Sequence, residues 1–150
     1  MLTIRPATTD DVIAALDLLA ELFAPPGSQP SGYTSERGSI GFAHAIRSHD
    51  ADILLAVEDG AIVGLASVYA LYPSMRFGRR CWLEDLVVSA ARRRRGIGHR
   101  LLDAATAWAR AHGCAEVELS SAPARTDAHR FYLANGMAQS MIFHRAIEGG

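Results

Sequence analysis

Four consecutive arginines, Arg92 to Arg95, lead into Gly96-Ile97-Gly98 at the point where apolar residues begin to recur at helical spacing. Such a turn can bind an anion. The first peptide N–H groups of a helix lack carbonyl partners and sit at the positive end of its dipole, while glycine lets a ligand approach the backbone closely. The guanidinium groups add charge in the same place, so a diphosphate is the fitting guest. The same residues can also be read as a solvated charge run before a helix, with the glycines serving only the turn. Two phosphate-binding patterns are excluded. All 15 basic residues are arginines, and a chain without lysine has neither a P-loop nor a Schiff-base lysine. Leu101 stands where the dinucleotide fingerprint G-x-G-x-x-G needs its third glycine.

Patterning predicts the elements that must hold this turn. Residues 2–5 predict a short strand, and Thr8-Thr9-Asp10-Asp11 caps a helix over 11–23 with Val12, Leu16, Leu19 and Phe23 at helical spacing. A loop rich in Pro, Gly and Ser (24–33) leads to a second helix over 35–49 carrying Ile40, Ala43 and Ile46. Asp59-Gly60 between two apolar runs, 53–57 and 62–71, predicts a hairpin, and the β-rich segment 81–88 predicts the next strand. After the arginine-glycine turn, Ile97, Leu101, Leu102, Ala105, Trp108 and Ala109 form a helical stripe ending near Gly113. Alternation over 115–119 then predicts a strand parallel to 81–88 through a right-handed crossover. A short helix over 126–134 stops at Asn135-Gly136, and 137–147 predicts a final strand or two.

Composition bounds what these elements build. At 150 residues, 49% hydrophobic and 21% charged, the chain reads as a single soluble domain spanning residues 1–150, large enough to fold without a metal or disulfide. Cys81 and Cys114 show no CxxC spacing, and no cleavable leader is seen, so reduced thiols and a cytoplasmic location are expected. The apolar stretch 61–72, broken by Gly64 and Ser67, is far shorter than the roughly 18 residues of a membrane span. A net charge of −1 gives no global pull toward nucleic acid. The six histidines are scattered, with no H-E-x-x-H and no Cys/His pairing, so no metal site is expected.

Leu86-Val87-Val88-Ser89-Ala90-Ala91-Arg92-Arg93-Arg94-Arg95-Gly96-Ile97-Gly98 resembles motif A of the GNAT superfamily, the Gcn5-related N-acetyltransferases, whose signature is R/Q-x-x-G-x-G/A. Arg93 takes the R/Q place. Ala128-His129-Arg130-Phe131-Tyr132-Leu133-Ala134-Asn135-Gly136-Met137 is similar to the family segment A-x-x-F-Y-x-x-x-G-F, and Ile4-Arg5-Pro6-Ala7 before an acidic helix start is also typical. The chain departs from the pattern at Ala90 (commonly proline), Arg94 (commonly glycine), Arg125 (commonly asparagine) and Met137 (commonly phenylalanine).

The resemblance implies an α/β fold (α+β by some schemes) of GNAT type: a mixed, mostly antiparallel central sheet with a splayed parallel strand pair, flanked by helices. It implies acetyl-CoA as cosubstrate and transfer of its acetyl group to a primary amine of a small molecule or peptide. Backbone groups of Leu86, Val87 and Val88 would meet the pantetheine arm, with the Val88 amide polarising the thioester carbonyl. The turn Arg93, Arg94, Arg95, Gly96, Ile97, Gly98 and His99 would hold the diphosphate. Glu84 and Asp85 are the candidate proton acceptors, and alternation along a strand sends them to opposite faces, so that only one lines the cleft. Glu84 is favoured, because Leu83-Glu84-Asp85-Leu86 resembles the Leu-Glu-Asp stretch of diamine acetyltransferases; the structural alternative is a carboxylate paired with Arg76, Arg79 or Arg80. Tyr132 is the candidate proton donor to the leaving thiolate. A non-catalytic acyl-CoA-binding module and a nucleic-acid binder using Arg92 to Arg95 are the other readings, with no nucleic-acid or membrane partner expected on the first. Homodimers are common in the superfamily, and the sequence leaves the oligomeric state open.

Overall fold

The computed structural model describes residues 1–147. Contacts divide the chain into two compact units, one covering Met1–Leu119 and the other beginning at Ser120. The first holds strands β1 (Leu2–Pro6), β2 (Ala51–Glu58), β3 (Ala61–Ala70), β4 (Cys81–Val88) and β5 (Val117–Glu118), with helices α1 (Val12–Phe23), α2 (Ser35–Arg47) and α3 (Ile97–Ala111). The strands form one sheet in sequence order, antiparallel throughout except for the parallel β4–β5 pair. The Asp59-Gly60 turn closes the β2–β3 hairpin with φ of 50° and 79°, the two positive values that a two-residue type I′ turn requires. No helix among the described residues is long and apolar enough to cross a membrane.

Each face of the sheet buries a different helix set. On one side Ala15 and Leu18 of α1 and Phe42 and Ala45 of α2 pack on Ile53, Leu55, Leu65 and Val87. The other side receives α3 through Ile97, Leu101, Leu102, Ala105 and Ala109, all buried. Gly64 of β3 makes that second contact close: a Cβ there would lie 2.9 Å from Leu101 Cδ1 and 3.2 Å from the Val87 carbonyl. Gly64→Ala should therefore cost about 1–3 kcal/mol through overpacking under α3. Urea unfolding checks it, and an unchanged midpoint would show that α3 can shift freely on the sheet.

The helix faces differ from the predicted stripes. In α1 the sheet is met by Ala15 and Leu18, flanked by Val12 and Leu22. Leu16 instead faces α2, where Gly38 lies against it, and Phe23 meets Tyr33 edge-on with ring centroids 4.8 Å apart. A helix apolar on two faces satisfies two neighbours, and spacing alone does not say which face meets the sheet. In α2 the buried residues are Phe42 and Ala45, whereas Ile40 is 64% exposed. The cap expected within Thr8–Asp11 forms, with Asp11 accepting the Thr8 N–H at 2.8 Å while bonding Arg5 through both oxygens, and α2 is capped by Thr34, whose Oγ1 accepts the Arg37 N–H at 3.0 Å. That Arg5 contact holds the Asp11 carboxyl down at about 2.

The second unit carries α4 (Thr126–Ala134), which ends at Gly136 with φ 85° and has the Met137 N–H bonded back to the Tyr132 carbonyl. The strands expected over 137–147 do not form. Met141, Ile142, Phe143 and Ile147 of this segment are exposed, and it joins no ladder among the described residues. Strand propensity without a paired neighbour does not make a strand.

Candidate active site

The parallel pair β4–β5 is short. Its register covers only Cys81↔Val117 and Trp82↔Glu118, supported by the Cys81 N–H to Glu116 carbonyl bond at 2.9 Å. Beyond Trp82, β4 runs on to Val88 while β5 has ended, so the outer edge of Leu83–Val88 has no paired strand among the described residues, a break in the ladder called the wedge below. The antiparallel ladder on the other edge of β4 tells which groups face that wedge. Ser89 donates to the Val63 carbonyl at 2.8 Å, so the preceding pair, Val88↔Gly64, is a non-hydrogen-bonded one and the Val88 N–H points away from β3. By the same alternation the Leu86 N–H also faces the wedge and the Val87 N–H does not. Val87 is buried in the sheet core, so it offers a ligand only its backbone.

The arginine turn follows directly. Arg93 Nε donates to the Val88 carbonyl at 3.2 Å, and both Arg92 and Arg95 pair with Glu58 at the end of β2, Arg95 at 3.5 Å. The Ala90 N–H donates to Glu21 of α1 at 2.8 Å, fixing the turn's other end. Glu58 and Glu21 were not legible as parts of this site, since only the fold brings them to the turn. Gly96 caps α3 with φ 79°, and helical bonding starts only when the Arg100 N–H reaches the Gly96 carbonyl at 3.1 Å. The peptide nitrogens of Ile97, Gly98 and His99 thus precede the first intrahelical donor, the arrangement in which a helix start can receive an anion. Ile97 is buried and anchors the helix by its side chain, and His99 pairs with Asp103 at 3.2 Å.

Arg94 has φ 65°, a left-handed conformation that glycine adopts without strain. The backbone therefore keeps the shape for which glycine is common at this place. Relief of that strain outweighs the larger unfolded-state entropy of glycine by a small margin, so Arg94→Gly should stabilise the protein by about 0.5 kcal/mol. Arg94→Ala, which keeps the strain, should not; denaturant midpoints of the two variants decide it.

The carboxylates of β4 depart from the expected geometry. The β3–β4 register shifts between Ser67↔Asp85 and Val68↔Leu83, leaving Glu84 as the extra residue of a β-bulge. Strict alternation fails at such a point, so Glu84 and Asp85 do not point to opposite faces. Asp85 pairs with Ser67, on the face that carries Leu65 and Tyr69, and Glu84 Oε2 accepts the indole N–H of Trp82, which pairs with Tyr69 on that same face, at 2.6 Å. None of the arginines considered as partners holds Glu84: Arg79 pairs with Asp50, Arg80 with Glu118, and Arg76 and Arg80 lie over the Phe77 ring. Asp85 is bound to Ser67 twice, its N–H donating to Ser67 Oγ at 2.9 Å and its Oδ2 accepting the hydroxyl at 2.8 Å. Burial raises the Asp85 carboxyl to about 6, against the pull of the Ser67 hydroxyl and with help from the Glu84 charge. The Tyr69 hydroxyl is raised as well, by burial and by both carboxylates.

Within the second unit, Tyr132 is half-buried on α4 with the Phe131 ring edge-on at 5.6 Å. Burial pushes its hydroxyl up, and the charge of Arg125 pulls it back. The departure at Arg125 thus places a cation where it acts on Tyr132.

Comparison with known proteins agrees with this geometry. The model of the acetyltransferase (GNAT) family matches residues 14–137. An uncharacterized N-acetyltransferase of Bacillus subtilis, YhdJ, is 49% identical over 59 residues, a match covering 39% of this chain and 42% of that protein. The aminoalkylphosphonate N-acetyltransferase of Salmonella typhimurium is 33% identical over 137 residues, covering 91% of this chain and 85% of that protein. In fold, the chain is similar to the aminoglycoside N-acetyltransferase AAC(6')-Iy, solved in complex with CoA, with a TM-score of 0.82 at 20% identity over 97% of this chain and 95% of that one. A strand wedge opening onto a glycine-capped helix start, and a family match spanning most of the sequence, give one conclusion: the chain belongs to the GNAT family of acetyltransferases.

Proposed function

We propose that this protein, as one acetyltransferase domain, moves the acetyl group of acetyl-CoA to a primary amine of a small molecule or peptide by direct attack in a ternary complex. The observation that carries the reading is the Val88 N–H, turned into the β4–β5 wedge one short turn before the glycine-capped start of α3. A donor fixed there in advance stabilises negative charge developing on the thioester oxygen, an effect worth roughly 3 kcal/mol of barrier. Leu86 supplies a second wedge-facing amide for the pantetheine arm. Arg93, Arg94 and Arg95, with the peptide nitrogens from Gly96 to His99, would hold the diphosphate, and the open space over Gly96 fits that role, since a Cβ there would meet nothing within 4 Å.

An alkylamine near neutral pH is mostly protonated, so the acceptor must shed a proton before or during attack. The carboxylates Glu84 and Asp85 share one face for that work, and Tyr132 is the proposed proton donor to the departing thiolate. Arg76 and Arg80, 4.6 and 4.9 Å from the Phe77 ring centroid in the loop between β3 and β4, favour an acceptor that also carries an acid group, as the phosphonate relative's substrate does. The test is thiol release from acetyl-CoA over a panel of aminoalkylphosphonates, amino-sugars, polyamines and peptides. Turnover with at least one amine is expected. Acetyl-CoA binding with no turnover on any would favour the acyl-CoA-binding module instead.

A further inference from the structure

We infer that Ser67 is a positioning residue for acetyl transfer: on the β4 bulge it locks the Asp85 carboxylate as the group that receives the proton shed by the attacking amine. The inference rests on the acetyl-transfer reading above. Ser67 is 1% exposed in the middle of β3, among neighbours that are otherwise apolar, and a buried hydroxyl there is costly unless it is fully bonded. Both of its bonds go to one residue. Its oxygen accepts the Asp85 N–H where an unbroken ladder would use a backbone carbonyl, and its proton goes to Asp85 Oδ2. The ring so formed runs through Oδ2, fixes the carboxylate's rotamer and leaves Oδ1 outside it.

The neighbouring carboxylate is differently employed. Glu84 is exposed, and its Oε2 is taken by the Trp82 indole, whereas Asp85 is enclosed. The titratable groups acting on Asp85 are Glu84 on its own strand and the Tyr69 hydroxyl across the ladder. Helix α1, which packs on β4, brings Asp17 and Glu21, and Glu21 is bonded to the Ala90 N–H at the strand's far end. A carboxyl raised to about 6 is still mostly ionised at pH 7 yet holds a proton more readily than an ordinary aspartate. In the step itself the lone pair of the neutral amine forms the C–N bond and the nitrogen gives one proton to Asp85. The C–S bond breaks with its electron pair on sulfur, and the thiolate takes its proton from Tyr132, which regains one from solvent. Asp85 then releases its proton to solvent.

The experiment pairs kinetics with a titration that needs no acceptor. Asp-labelled ¹³C NMR of the whole protein follows the Asp85 carboxyl, and kcat/KM is measured from pH 5 to 9 with 2-aminoethylphosphonate, or with the best amine of the panel, in wild type, Ser67→Ala, Ser67→Thr, Glu84→Gln and Asp85→Asn. The wild-type carboxyl should titrate near 6 and the acid limb of the profile should coincide with it. Ser67→Ala removes a bond to the charged form, so both should move up by about one pH unit, giving roughly a fivefold loss at pH 6 that recovers above pH 8. Glu84→Gln removes a like charge and should move both down. Ser67→Thr should restore the wild-type limb, and Asp85→Asn should lose about 100-fold on the plateau above pH 7 and show no acid limb near 6, so that its deficit shrinks toward pH 5. A Ser67→Ala loss that is uniform in pH, or an Asp85→Asn enzyme with the wild-type profile, would overturn the proposal while leaving acetyl transfer standing. Absence of turnover in wild type, with the carboxyl titrating as expected, would overturn acetyl transfer and this proposal with it.

Discussion

Val88→Pro is expected to lower kcat by about 100-fold while leaving the sheet intact. Proline normally breaks a central strand because it removes a ladder donor. Here the ladder is spared: Val88↔Gly64 is a non-hydrogen-bonded pair, and the flanking bonds run from Val87 and Ser89. The only donor lost is the one facing the wedge, and the residue before it, Val87, already has the extended conformation that proline demands. Removal of a single oxyanion donor costs about 2.7–4 kcal/mol, which gives the stated factor at its lower end. Acetyl-CoA affinity by calorimetry should change far less than kcat, because the developing charge, not the ground state, feels the donor. Val87→Pro is the control: it removes a ladder bond and should lower the melting temperature instead. If Val88→Pro turned over like wild type, the wedge amide would have no part in the chemistry.

The contrast between these two valines shows what the sequence could and could not convey. The turn itself was legible, because a glycine-capped helix start after a strand leaves its mark in residue types: Arg93, Gly96 and Gly98 at fixed spacing and the α3 stripe from Ile97 to Ala109. The Asp59-Gly60 hairpin, the parallel crossover and α4 follow from equally local signals. What failed was long-range. The bulge at Glu84 depends on Ser67, 18 residues away from Asp85, offering its hydroxyl to an amide, and no alternation pattern records that exchange. Glu58 reaches Arg92 from 34 residues away for the same reason. The strands expected over 137–147 rested on composition alone, and a strand is a property of a pair. The one hint of the bulge was Ser67 itself, a polar residue inside an apolar run, which in a buried strand signals a partner.

Tyr132→Phe should reduce kcat at pH 7 by about 100-fold, and the deficit should shrink as the pH passes about 8.5. The sign follows from the two groups involved. A thiol has an intrinsic pKa near 8.5, so below that value the departing sulfur gains by being protonated, and above it the thiolate is stable without help. Burial raises the Tyr132 hydroxyl, so it still holds its proton across the whole range in which the thiolate needs one. Phenylalanine keeps the ring and its edge contact with Phe131, so the helix should melt as before and the effect should be chemical. Arg125→Ala probes the same hydroxyl from the other side. With the cation gone the phenol rises further and becomes a poorer donor without losing its proton, so a loss of a few-fold with no change in the shape of the profile is expected. The measurement is kcat from pH 6 to 10 at saturating acetyl-CoA in the three proteins. A Tyr132→Phe deficit that stays constant with pH would assign the hydroxyl to packing or binding, and proton donation to the sulfur would then have to come from solvent.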